Sequence, residues 1–258
     1  MKKSIAALII VLTITASVSA QSQRRDVDIE ADDGFLLRGT YFDAGKTAPA
    51  ILLLHQCNGD RKGYNNLATM LSAAGFSVLS FDSRGFGESE NGRYANFRAL
   101  MDAVMPKFPE DVAAAHEFLI SQPNVSKRSI GVVGASCNVS MAVLLAQRHP
   151  EVRAVVLLSG PIHAAGKNFI RQSSDVAVFG AASEDDGRAV QEMREVIRQS
   201  QNKASILRAF KNAGHGIEMF AKEKQLEPEI VDWFKIQLKE PPLKSIVQPN
   251  NGMQRTRN

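Results

Sequence analysis

The hydrophobic and polar positions along this chain follow two successive rhythms. Residues 27–31 and 35–42 alternate between apolar and polar side chains around an Asp-Asp-Gly turn, which predicts a β-hairpin. Beyond the hairpin, short continuous apolar runs alternate with longer stretches of helical periodicity. Continuous apolar runs are typical of parallel strands whose two faces are both covered by helices. We therefore predict a doubly wound, mostly parallel α/β sheet behind an antiparallel hairpin. The predicted strands are 50–55, 77–82, 129–134, 154–159, 175–180 and 204–210, and the predicted helices are 65–74, 109–122, 139–148, 187–201 and 228–239.

The first twenty residues follow a different pattern. Lys2 and Lys3 precede an apolar run at 5–14, and small residues at 18–20 suit cleavage before Gln21. A buried N-terminal helix is the alternative, but the pattern favours a signal peptide at residues 1–20 and an exported protein, periplasmic or secreted. The run is too short to span a bilayer, and the residue at the cleavage site, Gln21, is not a cysteine, so we expect no permanent membrane anchor.

The charge balance argues against a nucleic-acid partner. The net charge is +4, but much of the excess lies in the first three residues and in the segment 241–258, which leaves about −1 on residues 21–240. A nucleic-acid-binding surface requires a basic patch on the folded body. Residues 241–258 lack periodicity and are polar, so we predict one domain at 21–240 followed by a disordered tail.

A candidate nucleophile lies between a predicted strand and a predicted helix. The segment 134–138 reads GASCN and places Ser136 on a sharp turn at the strand's carboxyl end. A serine there is either a helix N-cap or a nucleophile whose neighbouring backbone N–H faces a developing oxyanion. Cys137 is the rival nucleophile, but Gly134 precedes Ser136 by two residues, which is the spacing for serine.

Two further residues suit the same chemistry and follow later strands. His215 lies between two glycines after the last predicted strand, and Asp186 lies beyond the strand before it. A base that takes the serine proton needs an acid to hold its tautomer and to stabilise its charge. Asp185 is the near alternative as that acid. The chain order of serine, acid and histidine is that of α/β-hydrolases.

These segments resemble the α/β-hydrolase family, and the dienelactone-hydrolase-like branch is the nearest general match. The resemblance covers about residues 25–240 and includes segment 82–89, similar to the D-x-R-G-x-G-x-S loop of the family, for which we expect a structural role. It implies an oxyanion hole formed by the backbone N–H groups of Cys57 and Cys137. Two positions depart from the family pattern, because Asn138 and Gln56 occupy places where glycine is usual. We expect Asn138 to loosen or displace the turn.

The same resemblance brings the two cysteines of the chain together. If Cys57 and Cys137 both contribute backbone groups to one oxyanion hole, their Cα atoms must lie close to each other. In an exported protein such a pair either forms a disulfide or remains as two thiols.

The resemblance implies a serine hydrolase that acts on a small ester-type substrate by acyl transfer to water. Thioesters, lactones and peptides are further substrate classes. Only fourteen residues separate Gly160 from Asp175, too few for a large cap domain, although segment 90–108 could cover the site. The sequence shows no metal-ligand motif or phosphate-binding loop, so we expect no metal and no cofactor. The alternative is a non-catalytic scaffold that binds a ligand or a protein, favoured by the glycine replacements at Gln56 and Asn138.

Overall fold

The computed structural model describes residues 23–89, 92 and 94–239, and these contain a single eight-stranded sheet. The sheet order is β1-β2-β4-β3-β5-β6-β7-β8. The first two strands form the predicted antiparallel hairpin, β2 pairs antiparallel with β4, and β3 to β8 run parallel. This architecture confirms the predicted fold class. The strands are β1 (Gln23–Glu30), β2 (Leu36–Asp43), β3 (Ala48–Leu54), β4 (Ser77–Phe81), β5 (Val125–Ala135), β6 (Val152–Leu158), β7 (Ala177–Ser183) and β8 (Ile206–Phe210).

Helices cover both faces of this sheet. The α-helices are α1 (Asn65–Ala73), α2 (Phe97–Val104), α3 (Phe108–Ser121), α4 (Val139–Arg148), α5 (Ala164–Gln172), α6 (Ala189–Gln199), α7 (Met219–Lys222) and α8 (Leu226–Gln237). Five of them correspond to predicted helices. The short helices α5 and α7 were not predicted, and α2 was noted only as part of segment 90–108.

The core lies in two apolar layers, one on each side of the sheet. Along β3, Leu52 and Leu54 belong to one layer while Ile51 and Leu53 belong to the other, because successive side chains of a strand point to opposite faces. All four are buried. This explains why the central strands are continuously apolar in the sequence.

The prediction for β7 was wrong at both ends. The strand runs from Ala177 to Ser183 instead of from 175 to 180, so it continues three residues further than the pattern indicated. Its last residues are small (Ala181, Ala182 and Ser183) and lack the bulk that marks a strand in the sequence, but all three are buried in the structure. Asp186 consequently lies only three residues beyond the strand end.

The predicted signal peptide at 1–20 and the predicted tail at 241–258 lie outside the described residues. Among the residues that are described, no helix is long and apolar enough to cross a membrane. No large cap domain interrupts the described fold, and the connection between β6 and β7 holds only the nine-residue helix α5.

Candidate active site

Ser136 occupies a strained turn between β5 and α4. Its φ of 54° lies in the left-handed region, which is energetically costly for residues other than glycine. The turn is tight because two glycines let backbone segments approach it. A Cβ atom on Gly134 would lie 2.4 Å from the carbonyl oxygen of Asn138, and one on Gly160 would lie 2.1 Å from that of Ser136. Strain of this kind is concentrated at functional sites.

The structure brings the three candidate residues into one hydrogen-bonded chain. Ser136 Oγ lies 2.7 Å from His215 Nε2, and His215 Nδ1 lies 2.7 Å from Asp186 Oδ2. These residues follow β5, β8 and β7, whose carboxyl ends meet at one edge of the sheet. With the Nδ1 proton donated to the carboxylate, Nε2 is free to accept the serine proton.

Asp185 occupies a different position from Asp186. Its Oδ1 accepts hydrogen bonds from the Ser183 hydroxyl and from the backbone N–H of Gly214, the latter at 3.3 Å. The hydrogen bond from Ser183 lowers the pKa of Asp185 below its usual value. Asp185 therefore holds the loop that precedes His215, whereas Asp186 contacts the imidazole itself.

Cys57 and Cys137 are joined by a disulfide with a Cα–Cα distance of 5.9 Å. Of the two arrangements left open by the sequence, the structure has the bridge. It links the loop after β3 directly to the residue that follows Ser136. The Cys137 sulfur is consequently bonded and is not a thiol nucleophile.

The expectation that Asn138 loosens the turn was wrong. The residue has a φ of −90°, which needs no glycine, and its side chain is buried. Its Nδ2 donates a hydrogen bond of 2.7 Å to the carbonyl oxygen of His55, so the amide ties the start of α4 to the end of β3. The glycines that allow the close approach of the backbone at this turn are Gly134 and Gly160.

Gln56 makes a second tie between the loops of the site. Its Oε1 accepts a hydrogen bond of 2.9 Å from the backbone N–H of Ile217, two residues after His215. The side chain is buried, and a Cβ atom on Gly216 would lie 2.2 Å from it. In the sequence, Gln56 and Asn138 were noted only because they replace glycines of the family pattern. In the structure, each side chain makes a hydrogen bond to the backbone of a segment distant in sequence.

The loop that resembles the D-x-R-G-x-G-x-S motif is held in place by a buried ion pair. The Asp82 carboxylate, at the end of β4, accepts hydrogen bonds from the guanidinium and the backbone N–H of Arg61 and from the backbone N–H of Glu88. Arg61 also donates a hydrogen bond of 2.7 Å to Glu88 Oε2. The expected structural role of this loop agrees with these contacts.

Helix α2 packs over the disulfide. Val104 belongs to a small apolar cluster with Cys57, Phe86 and Phe108, and Leu100, Met101, Cys137 and Met141 pack against it. Segment 97–104 thus covers the bridge side of the site, while Phe97 on the same helix is 56% exposed.

This chain is similar to a known protein family and to several known proteins. The model of the family described as "Serine aminopeptidase, S33" matches residues 45–217, two thirds of the chain. An uncharacterised protein of Mycobacterium tuberculosis is 36% identical over 134 residues, which are 51% of this chain and 44% of that protein. A thiohydrolase of Arthrinium phaeospermum is 29% identical over 168 residues, 63% of this chain and 52% of its own. The matched region thus spans about half the length of these curated relatives.

Solved structures show the same fold at low sequence identity. An esterase of Pyrococcus furiosus superposes with a TM-score of 0.67 at 19% identity, covering 93% of this chain and 100% of its own. A dienelactone hydrolase from Anabaena variabilis superposes with a TM-score of 0.68 at 18% identity, covering 85% of this chain and 100% of its own.

Proposed function

We propose that this chain, which belongs to the S33 serine aminopeptidase family, is an exported serine hydrolase of the α/β-hydrolase type that cleaves carboxylic esters. In this proposal Ser136 is the nucleophile, His215 the general base and Asp186 the orienting acid. One observation carries the proposal: a strained serine is hydrogen-bonded to a histidine, which is hydrogen-bonded to a carboxylate, each at 2.7 Å.

The first half of the reaction forms an acyl-enzyme. Ser136 Oγ attacks the ester carbonyl carbon while His215 Nε2 takes the hydroxyl proton. The resulting oxyanion is stabilised by the backbone N–H groups of Cys57 and Cys137, whose Cα atoms the disulfide holds 5.9 Å apart. His215 then gives the proton to the leaving alkoxide, and an alcohol departs.

The second half returns the enzyme to its starting state. Water attacks the acyl carbon, His215 accepts a proton from it, and the second tetrahedral intermediate forms in the same oxyanion hole. Its collapse breaks the bond to Ser136 Oγ, which takes the proton back from His215, and a carboxylic acid leaves. Asp186 stabilises the imidazolium in both halves because it accepts the Nδ1 hydrogen bond.

Fluorophosphonate labelling tests the nucleophile. The probe reacts with an activated serine, so wild-type protein is expected to gain one covalent adduct on the peptide that contains Ser136. The variant Ser136→Ala is expected to gain none, whereas Ser174→Ala, which changes an exposed serine beyond α5, labels like the wild type. Absence of labelling in folded wild-type protein would refute the proposal and favour a binding scaffold.

A matched pair of carboxylate variants tests the acid. Asp186→Asn removes the acceptor that holds the His215 tautomer, and such a change lowers kcat by roughly four orders of magnitude in serine hydrolases. Asp185→Asn keeps that acceptor and perturbs only a loop contact, so we expect a much smaller loss. Equal losses in the two variants would contradict the assignment of Asp186.

A substrate panel separates the remaining classes. Within the described residues the site carries no large cap domain, and the structural neighbours include proteins named an esterase and a dienelactone hydrolase, which supports esters. One relative is named a thiohydrolase and the family is named for an aminopeptidase, so the panel pairs each acyl ester with its thioester and adds aminoacyl anilides. The proposal predicts the highest kcat/KM for the esters, and faster turnover of anilides would overturn it.

Export is supported by the basic and apolar pattern of residues 1–20 and by the disulfide, since such bridges persist in oxidising compartments. Mass analysis of the protein from fractionated cells tests it. The proposal predicts a chain that begins at Gln21 outside the cytoplasm, and an uncleaved cytoplasmic chain would refute it.

A further inference from the structure

A second cluster of polar side chains lies far from Ser136. The cluster consists of His116 on α3, His149 just beyond α4 and Glu151 just before β6. Each residue contributes one atom of the kind that binds metals, and these three atoms lie within 4.8 Å of one another. Glu151 precedes the amino end of β6, whereas Ser136 follows the carboxyl end of the parallel neighbour β5. The two groups are therefore on opposite edges of the sheet.

Two separations between the donor atoms match those of a tetrahedral metal centre, and all three lie within 4.8 Å. Glu151 Oε1 lies 3.3 Å from His116 Nε2 and 3.3 Å from His149 Nδ1. Zinc binds nitrogen and carboxylate oxygen at about 2.0–2.1 Å, and at the tetrahedral angle two such ligands are about 3.3 Å apart. Both separations agree with this value.

His116 is the least explained member of the cluster without a metal. Its side chain is fully buried, no hydrogen bond to Nδ1 is found within the described part of the chain, and Nε2 lies 3.3 Å from Glu151 Oε1 without the geometry of a hydrogen bond. A buried polar group without a partner is destabilising.

The remaining two ligands are held by backbone hydrogen bonds and are reachable from solvent. The N–H of His149 donates to Leu145 at 3.0 Å, and the carbonyl of Glu151 accepts from the N–H of Ile130 at 2.9 Å. The side chains of His149 and Glu151 are 31% and 20% exposed, which leaves an approach for the ion and room for water as a fourth ligand.

We propose that His116, His149 and Glu151 form a binding site for a divalent transition metal of the zinc type, separate from the hydrolytic site. The metal joins α3, the end of α4 and the start of β6, three elements adjacent in space but separated in sequence. Helix α4 runs from the turn of Ser136 to His149, so the ion anchors the far end of the helix that follows the nucleophile. We assign it a structural role.

These three residues form no metal-ligand motif in the sequence, and for that reason no metal was predicted. His149 and Glu151 are two positions apart, and His116 lies more than thirty residues upstream. Only the packing of α3 against α4 brings the two rings to a centroid distance of 4.2 Å.

Equilibrium dialysis of the untagged, purified protein against Zn²⁺ near neutral pH tests the proposal. Wild type is expected to bind one equivalent of the ion. Glu151→Gln, which keeps the size of the side chain, and His149→Ala are each expected to weaken binding by at least about tenfold. Zn²⁺ at a hundredfold excess over Kd is expected to raise the Tm of wild type by about 5–10 °C and of the variants by much less.

Two control variants separate this site from other histidines. His163→Ala changes an exposed histidine at the start of α5, and His215→Ala removes the histidine of the candidate active site; both are expected to retain the equivalent of zinc. Replacement of Zn²⁺ by Co²⁺ is expected to give the intense visible absorption of a four-coordinate ion. Absence of binding to wild type, or equal binding to wild type, Glu151→Gln and His149→Ala, would overturn the proposal.

Discussion

The Cys57–Cys137 disulfide offers the sharpest stability test, because it closes a long segment of the chain beside the nucleophile. The bridge joins residues 80 positions apart. The double variant Cys57→Ala/Cys137→Ala removes it without introducing a polar group into the small apolar cluster under α2. We expect this variant to fold and to be markedly less stable than the wild type.

The magnitude follows from the length of the closed segment. A cross-link over 80 residues lowers the entropy of the unfolded chain enough to stabilise the native state by about 4.5 kcal/mol at 25 °C. For a domain of this size, one kcal/mol corresponds to about 2–4 °C in Tm, so the loss of the bridge should lower Tm by roughly 9–18 °C. The two replacements also remove one buried sulfur atom and one partly buried sulfur atom, which adds a smaller loss from packing.

Urea unfolding of oxidised wild type, reduced wild type and the double variant measures this loss. Reduced wild type and the double variant are expected to agree within about 1 kcal/mol, since they differ only in the sulfur atoms. A reductant should have no effect on the double variant, which serves as the control. A loss below about 1 kcal/mol on reduction would refute the reasoning from chain entropy.

Three further predictions concern the turn of Ser136 and the ion pairs of Arg61. Gly160→Ala places a Cβ atom 2.1 Å from the carbonyl oxygen of Ser136, and the resulting displacement should lower kcat for ester hydrolysis by roughly 10–100-fold. Arg61→Met leaves the buried Asp82 carboxylate without its guanidinium partner and should cost about 3–5 kcal/mol in urea unfolding. The hydrogen bond from the Arg61 guanidinium lowers the pKa of Glu88 to about 2. The stabilising contribution of the Glu88 carboxylate is therefore complete above about pH 4.5 and is lost as pH falls toward 2. Glu88→Gln should remove this part of the acid dependence of the free energy of unfolding.

Matched controls make these outcomes decisive. Gly59→Ala adds a Cβ atom at an ordinary contact distance of 3.7 Å, so its kcat should stay near the wild-type value. Arg38→Met breaks an exposed ion pair with Asp28 and should cost far less stability than Arg61→Met. Equal effects in test and control variants would contradict the structural explanations, as would an unchanged acid slope in Glu88→Gln.

The sequence alone was sufficient for the fold class and the order of the candidate residues. Apolar runs interrupted by helical periodicity reflect burial of both sheet faces, which is a local property of each strand and is therefore visible in the pattern. Ser136, Asp186 and His215 follow separate parallel strands, so their convergence at one edge follows from topology. The ends of β7 were misplaced because small buried residues give a weak strand signal.

The tertiary structure decided everything that depends on contacts between distant segments. The disulfide was one of two possibilities in the sequence, and the roles of Asn138 and Gln56 were invisible because their partners, at His55 and Ile217, lie 83 and 161 residues away. The same holds for His116, which meets His149 and Glu151 only through helix packing. Periodicity reports how each residue is buried, whereas the identity of the partner that satisfies a buried polar group depends on the packing of the complete chain.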